Sequence, residues 1–305
     1  MYFLLRTPGD LVRSVRDIDI IFTSSPIILS AILSWKLSKD MGKPLIVDVR
    51  DLWEEYARGR YKLLGKLGVI GKLQETFHKA LNDASLVTVP TKGMARYYSG
   101  ITSTRIEVVP NGTDPDIIKP LPASKDYDLV YLGDFNNPYQ NIEYLIKAAS
   151  LSGHRILVIG GGRLLEDIKR YAAEHWVKAT FIGPVPYDRL AQYLSKAKVG
   201  VVGRPFINNP QYLYTIPAKV YDYLAAGLPV AGYGPSGSEL EEFINGMGVG
   251  GYTSSSDPRE LAHMLERLVE DFESYRIRAR EVAIMYDRRR HANRLAELLE
   301  GITFS

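Results

Sequence analysis

Short apolar runs recur along the whole chain, each followed by a stretch with helical spacing, and this alternation constrains the fold more than any other feature. The runs are Ile18–Phe22, Leu45–Val49, Leu86–Val89, Ile106–Val109, Asp128–Leu132, Ile156–Ile159, Ala179–Ile182, Val199–Val202 and Pro229–Gly232. Strands continuous in Val, Ile and Leu are buried on both faces, and a helix between successive strands is the connection that parallel pairing needs. The pattern therefore predicts an α/β protein made of parallel sheets with helices on both faces. Ligands of such sheets bind outside the carboxyl ends of the strands, where the glycines of this chain cluster.

A chain of 305 residues is long enough for two domains of this kind, each with its own core. Periodicity lapses at Val109-Pro110-Asn111-Gly112-Thr113-Asp114-Pro115 and again at Lys119-Pro120-Leu121-Pro122, which places a boundary near residues 112–126. The expected division is a Rossmann-like domain over 1–118, a second over 119–285, and a terminal amphipathic helix over 286–305. With 46% hydrophobic and 24% charged residues the chain is globular rather than disordered. A net charge of +3 argues against a dedicated nucleic-acid binder. The absence of cysteine excludes disulfides, thiolate catalysis and zinc–thiolate sites. His78, His154, His175, His263 and His291 are dispersed without metal-ligand spacing, so no metal is expected. The longest apolar run, Ser25 to Trp35, is too short to span a bilayer and no signal-peptide pattern precedes it, which makes a cytoplasmic location the expectation. The stretch from Arg58 to Ile70 mixes basic and apolar residues and reads either as a solvated helix flank or as a peripheral contact with the inner face of a membrane.

Chemistry concentrates in Ile216-Pro217-Ala218-Lys219-Val220-Tyr221-Asp222-Tyr223-Leu224-Ala225-Ala226-Gly227-Leu228-Pro229-Val230, a Pro-opened helix that ends at a glycine and runs into a strand. Pro217 suits a first helical turn, whose free amides and dipole attract an anion, and Lys219 adds a full charge. Asp222 lies three residues further, about one turn away, where a carboxylate can accept hydrogen bonds from the hydroxyls of a ribose or merely cap and solubilise the helix. Together these groups describe a site for a sugar joined to a nucleoside diphosphate. The tract Gly160-Gly161-Gly162 permits close backbone approach to a ligand. An NAD site is disfavoured, because Leu165 occupies the third-glycine position and no acidic residue ends a following strand at the required distance. Asp48, Arg50 and Asp51 end a buried strand and form either a catalytic turn or an internal ion pair. Asn111 and Gly112 read as a hinge, and Ser236 or Ser238 as a helix cap or a phosphate ligand.

Five stretches in order over residues 18 to 300 resemble the family-four, group 1 type of glycosyltransferase with the two-domain GT-B fold. They are Asp48-Val49-Arg50-Asp51-Leu52-Trp53, Val109-Pro110-Asn111-Gly112, Tyr131-Leu132-Gly133-Asp134-Phe135, Phe181-Ile182-Gly183-Pro184-Val185 and the motif around Lys219. The resemblance implies two Rossmann-like domains facing a cleft, a nucleoside-diphosphate sugar on residues 127–285, a hydroxyl acceptor held mainly by the first domain, and a last helix crossing back to it. It further implies retention of anomeric configuration and no cofactor beyond the donor. On this basis the donor-binding candidates are Gly133, Gln140, Gly160, Gly161, Gly162, Pro184, Arg204, Pro217, Lys219 and Asp222, and the catalytic candidates are Asp51 and Arg50.

Three departures stand out. Two glutamates eight positions apart in the family correspond to Tyr214 and Asp222; the family's diphosphate-gripping Gly-Arg and Lys correspond to Gly133-Asp134 and Gln140, as in a Gln-containing subgroup; and nothing before Ile18 resembles the family's opening strand and Gly-rich acceptor loop, so the resemblance leads to the expectation that about 80 residues of the usual first domain are missing there. A shortened first domain leaves the strand near Ile18–Phe22 at a sheet edge, which favours a homodimer or a small partner subunit. The alternative function is accordingly a non-catalytic or partner-dependent subunit that binds the nucleotide sugar within a split glycosyltransferase.

Overall fold

The computed structural model describes residues 17–25, 28–52, 68–136 and 141–303. Gln140, Trp53 and most of the basic–apolar stretch after Arg58 lie outside the described residues. Two compact units result: residues up to Pro110 together with Asn209–Thr215 and the chain from His291 onward, and Asn111–Asn208 together with Ile216–Arg290.

In the first unit, β1 (Ile21–Ser24), α1 (Ile28–Met41), β2 (Leu45–Asp48), α2 (Val69–Asn82), β3 (Leu86–Val89), α3 (Lys92–Ser99) and β4 (Ile106–Val108) alternate as the sequence predicts. The strands form a parallel sheet in the order β1-β2-β3-β4. Pairing of β1 begins only at Ile21, whose amide reaches the Pro44 carbonyl at 2.9 Å, so the strand starts later than its apolar run. Every residue of β2 and β3 is buried. Val47, Val87 and Val89 pack with Ile32, Phe77, Leu81 and Met94 on one face, while Ile46 and Leu86 pack with Val109 and Leu298 on the other. Helix α3 starts where it does because Thr91 is extended and its Oγ1 accepts the Met94 amide at 3.1 Å.

The second unit continues with β5 (Tyr127–Asp134), α4 (Ile142–Ser152), β6 (Ile156–Gly161), α5 (Leu165–Glu174), β7 (Ala179–Ile182), α6 (Leu190–Leu194) and β8 (Ala197–Gly203). A short helix, α7 (Pro210–Leu213), lies in the segment assigned to the first unit, after which come α8 (Lys219–Ala225), β9 (Val230–Tyr233), α9 (Glu239–Met247), β10 (Gly250–Thr253), α10 (Pro258–Glu270) and α11 (Phe272–Met285). The last helix, α12 (Arg288–Thr303), belongs to the first unit from His291. The second sheet is parallel, in the order β10-β9-β8-β5-β6-β7. Alternate residues feed its two cores: Val130 and Val202 meet Val220, Leu224 and Ile244, whereas Leu129, Val199 and Val201 meet Leu145, Leu261 and Leu265.

Two α/β units on parallel sheets are thus present as predicted. Strand β10 had no sequence signal, because Gly250-Gly251-Tyr252-Thr253 contains no Val, Ile or Leu. Gly250 has φ 157°, and a Cβ there would lie 2.0 Å from the Val230 carbonyl oxygen, so this edge strand depends on the residue type that hides it.

Candidate functional site

The order of the second sheet reverses between β5 and β8, the place where open parallel sheets form a crevice. Pairing of β5 with β8 stops at Tyr131 and Val201, while β5 stays paired with β6 as far as Asp134 and Gly161. Beyond that point Leu132 has no β8 partner, and α8 supplies the bonds instead. The Leu132 amide donates to the Tyr223 hydroxyl at 2.7 Å, which donates onward to the Val201 carbonyl at 3.2 Å, and the Lys219 ammonium donates to the Leu132 carbonyl. Lys219 and Tyr223 are four residues apart and so lie one above the other on the helix. A Cβ at Gly200 would fall 2.3 Å from the Tyr223 ring, so glycine in β8 makes the room for that tyrosine.

Helix α8 buries every residue except Lys219 and Asp222, which remain partly exposed. Its first residue is Lys219, so Pro217 stands just ahead of the helix rather than within its first turn. The Pro217 carbonyl accepts the Val220 amide and the Ala218 carbonyl the Tyr221 amide, each at 3.1 Å, a tight lead-in to the helix. At the other end Gly227, at φ 74°, donates to Leu224 while Leu228 donates to Tyr223, both at 2.9 Å, which closes the helix in a Schellman motif.

The Lys219 ammonium lies 4.5 Å from the centre of the Tyr131 ring. Burial, reinforced by the nearby Arg204 guanidinium and opposed by Asp134, brings its pKa from 10.5 to about 7. Arg204 follows β8 directly and is buried; its amide donates to the Tyr233 carbonyl at 2.9 Å, which fixes its backbone. Two cationic groups therefore share a poorly solvated corner at the carboxyl ends of β5 and β8.

The glycines around this corner are required by the protein's own packing. A Cβ on Gly160 (φ 136°) would lie 1.9 Å from the Gly133 carbonyl oxygen, and one on Gly162 (φ 149°) would lie 2.3 Å from the Phe135 carbonyl carbon. At Gly133 a Cβ would meet the Phe135 ring at 2.4 Å, and at Gly161 it would meet the exposed Pro184 ring at 3.2 Å. The structure brings Gly133, Gly160, Gly161, Gly162 and Pro184 together at the ends of β5 to β7, with Arg204 and Lys219 at the neighbouring ends of β5 and β8.

Asp222 faces a different set of groups. Its Oδ1 accepts from the Thr113 hydroxyl at 2.9 Å and the Tyr187 hydroxyl at 3.0 Å. Burial pushes its carboxyl upward against the opposing effect of these donors. Tyr187 also receives the Asp114 amide at 3.2 Å and the Arg288 guanidinium at 2.8 Å. Thr113 is bonded through its backbone to Tyr286 at 3.1 Å and Arg288 at 2.9 Å. Asp222 thus holds the turn that follows Gly112 to the start of α12. Ser238 caps α9, accepting the Glu241 amide at 3.2 Å, and its hydroxyl donates to Tyr252 at 3.1 Å.

In the first unit the turn after β2 is internally bonded. Asp48 is buried and accepts from Thr88 Oγ1 at 2.7 Å, Ser24 Oγ at 3.1 Å and Arg50 Nε at 2.7 Å. Arg50 also donates to the Val109 carbonyl at 2.9 Å. Arg50 therefore sits in the internal ion pair, while Asp51 is exposed. Sequence reasoning missed Tyr131, Tyr223, Thr113, Tyr187 and Arg288. Of these, only Tyr223 carried a signal, its spacing of four from Lys219. Among the described residues no cluster of His, Cys, Asp or Glu could hold a metal ion, and no helix is long and apolar enough to cross a membrane.

Known proteins match both parts of the chain. Residues 1–117 fit the model for Glycosyltransferase Family 4, and residues 126–271 fit that for Glycosyl transferases group 1. A probable glycosyltransferase, WbjE of Pseudomonas aeruginosa, is 24% identical over 135 residues, covering 43% of this chain but only 33% of that protein. The fold is similar to that of sucrose-phosphate synthase from Thermosynechococcus elongatus, with a TM-score of 0.79 at 18% identity over 96% of this chain and 75% of that one. It is also similar to Anabaena HepE in complex with UDP, with a TM-score of 0.74 at 15% identity over 96% of this chain and 81% of that one. With two consecutive family matches along it and the GT-B fold of its structural neighbours, the chain belongs to the group 1, family-four type of glycosyltransferases.

Proposed function

We propose that the protein transfers a sugar from a nucleoside-diphosphate sugar, bound by the second unit, to a hydroxyl group of an acceptor bound by the first, with retention of configuration and without a metal. The observation that carries this reading is the Lys219 ammonium, held at the Leu132 carbonyl where β5 and β8 part, within the electrostatic field of Arg204. An arriving diphosphate adds charge-assisted hydrogen bonds to the Lys219 ammonium, whose charged form burial and Arg204 disfavour, and so draws it back to that form. The Leu132 carbonyl and the buried Tyr131 ring hold the Lys219 ammonium at the carboxyl end of β5. During transfer the bond from sugar to diphosphate breaks with its electron pair leaving on the phosphate oxygen. Arg204 and Lys219 then stabilise the charge that grows there, a preorganised electrostatic contribution. The acceptor oxygen bonds to the anomeric carbon and its proton passes to the departing diphosphate oxygen, so the protein's remaining task is to hold the acceptor hydroxyl against the sugar, a positioning demand. Family membership supports the reaction class, and the UDP complex of the similar HepE fold supports a uridine donor first among the bases.

A thermal-shift titration with UDP, GDP and ADP and their glucose or mannose conjugates tests this reading. A ligand at a hundred times its dissociation constant stabilises the folded state by about 2.7 kcal/mol, so a saturable, base-selective rise in Tm is expected. Absence of a shift with every nucleotide refutes the donor site.

A further inference from the structure

Between Asn208 and Ile216 the chain leaves the second unit and contributes seven residues, Asn209–Thr215, to the first. This excursion is structured. Asn209 caps α7 by accepting the Gln211 amide at 2.8 Å, Pro210 occupies the first turn, and the Tyr214 amide returns to the Pro210 carbonyl at 2.9 Å. Its far end is fastened to α3: the Thr91 hydroxyl that caps that helix donates to the Tyr214 carbonyl at 2.5 Å, and the Tyr214 ring lies 5.9 Å from that of Tyr97. Its near end is fastened to the turn after β2, where Gln211 Oε1 accepts the Leu52 amide at 3.1 Å.

Leu52 is buried, and a buried amide needs a partner. Two residues earlier, Arg50 is held by Asp48 and by the Val109 carbonyl. The exposed Asp51 is therefore flanked by two residues pinned from different sides, one by an ion pair of the first unit's own strands and one by Gln211. Gln211 also stands in the same stretch of chain as the two donor-side cations, after Arg204 and before Lys219.

We propose that Gln211 is a positioning residue: by accepting the Leu52 amide it fixes the turn 49–52, so that Asp51 meets the acceptor in one geometry. This inference rests on the transfer reading for its consequence in turnover, but the tether itself is independent of that reading. The bond needs an acceptor at the end of residue 211 and nothing more. Gln211→Met keeps length and loses the acceptor, while Gln211→Glu keeps both.

The full-length protein and both variants are compared by three measurements. They are the dissociation constant for UDP, the turnover of UDP-glucose, GDP-mannose and ADP-glucose by transfer or slow hydrolysis, and amide hydrogen exchange in the peptide containing Val49–Leu52. The expected result for Gln211→Met is at least a tenfold loss in kcat, an unchanged UDP dissociation constant, and at least tenfold faster exchange at 49–52. Gln211→Glu is expected to restore both kcat and exchange. Exchange at 49–52 that is unchanged in Gln211→Met overturns the proposal, as does an equal loss of kcat in Gln211→Met and Gln211→Glu. If the wild-type protein turns over none of the three donors, the transfer reading fails. Accelerated exchange in Gln211→Met alone then still supports the tether, and unchanged exchange still refutes it.

Discussion

At the end of β2 a carboxylate is surrounded by its donors, whereas at the ends of β5 and β8 Lys219 lies within the electrostatic field of another cation, Arg204. Asp48 receives Thr88, Ser24 and Arg50 and is complete within the protein. Lys219 and Arg204 raise one another's electrostatic energy, and burial holds the lysine near neutrality. The first arrangement spends its charge on shaping a turn. The second leaves an ammonium with a strongly lowered pKa, and perturbation of this kind clusters at functional sites. Within α8 the two polar residues differ in their partners, since Asp222 is engaged by the Thr113 and Tyr187 hydroxyls and Lys219 by the Leu132 carbonyl and the Tyr131 ring.

The largest effect expected from this contrast is on stability. Arg50→Met strands a buried carboxylate, and urea unfolding should show a loss of about 3–5 kcal/mol. A loss below about 1 kcal/mol, the range of an exposed pair, breaks the comparison by showing that the turn is not held by charge. Next is Lys219→Ala, for which UDP titration calorimetry should show a loss of about 1–3 kcal/mol in affinity. Its pH dependence sharpens the comparison. A lysine with pKa about 7 in the folded protein and 10.5 when unfolded binds fewer protons folded than unfolded between those values. Stability of the nucleotide-free protein therefore rises with pH across that window, and Lys219→Ala should flatten the rise. Nucleotide affinity follows the opposite course in the wild type, falling as pH climbs above about 7, because the neutral amine must take up a proton to meet the anion.

The smallest effect lies outside both regions and checks the stability scale. Trp176 is 91% exposed yet sits at φ 56°, directly after the residue that caps the end of α5. Its amide donates to Ala173 and that of Val177 to Ala172, both at 3.0 Å, a closure that favours glycine. Trp176→Gly should stabilise the protein by about 0.5–1 kcal/mol in the same urea experiment.

Continuous apolar runs made nine strands legible, because a strand buried on both faces must be written in Val, Ile and Leu. The tenth was hidden by Gly250, which its close approach to Val230 demands, and by Gly251, which faces Met264. The helix start at Lys219 could be read from Pro217 two residues ahead of it. Tyr223 offered only its spacing of four from Lys219, since its role exists only where β5 and β8 part company. Gln211 was invisible for a different reason: its partner Leu52 is 159 residues away, and nothing local distinguishes that glutamine from a solvated one. The glycine tract was read as room for a ligand, and the contacts of Gly160 with Gly133 and of Gly162 with Phe135 show that the strands themselves already require it.

The assignment of residues from His291 onward to the first unit sets an order of events during synthesis. Ile46, Leu86 and Val109 leave the ribosome early, but the side chain that covers them, Leu298, is made near the end. Domains commonly mature in the order of translation, amino-terminal first. Here the second unit is complete at Arg290, while the first still lacks part of its core. Until Leu298 is made, Ile46, Leu86 and Val109 lack the helix that packs on them, and that apolar sheet face is a surface on which a chaperone can act.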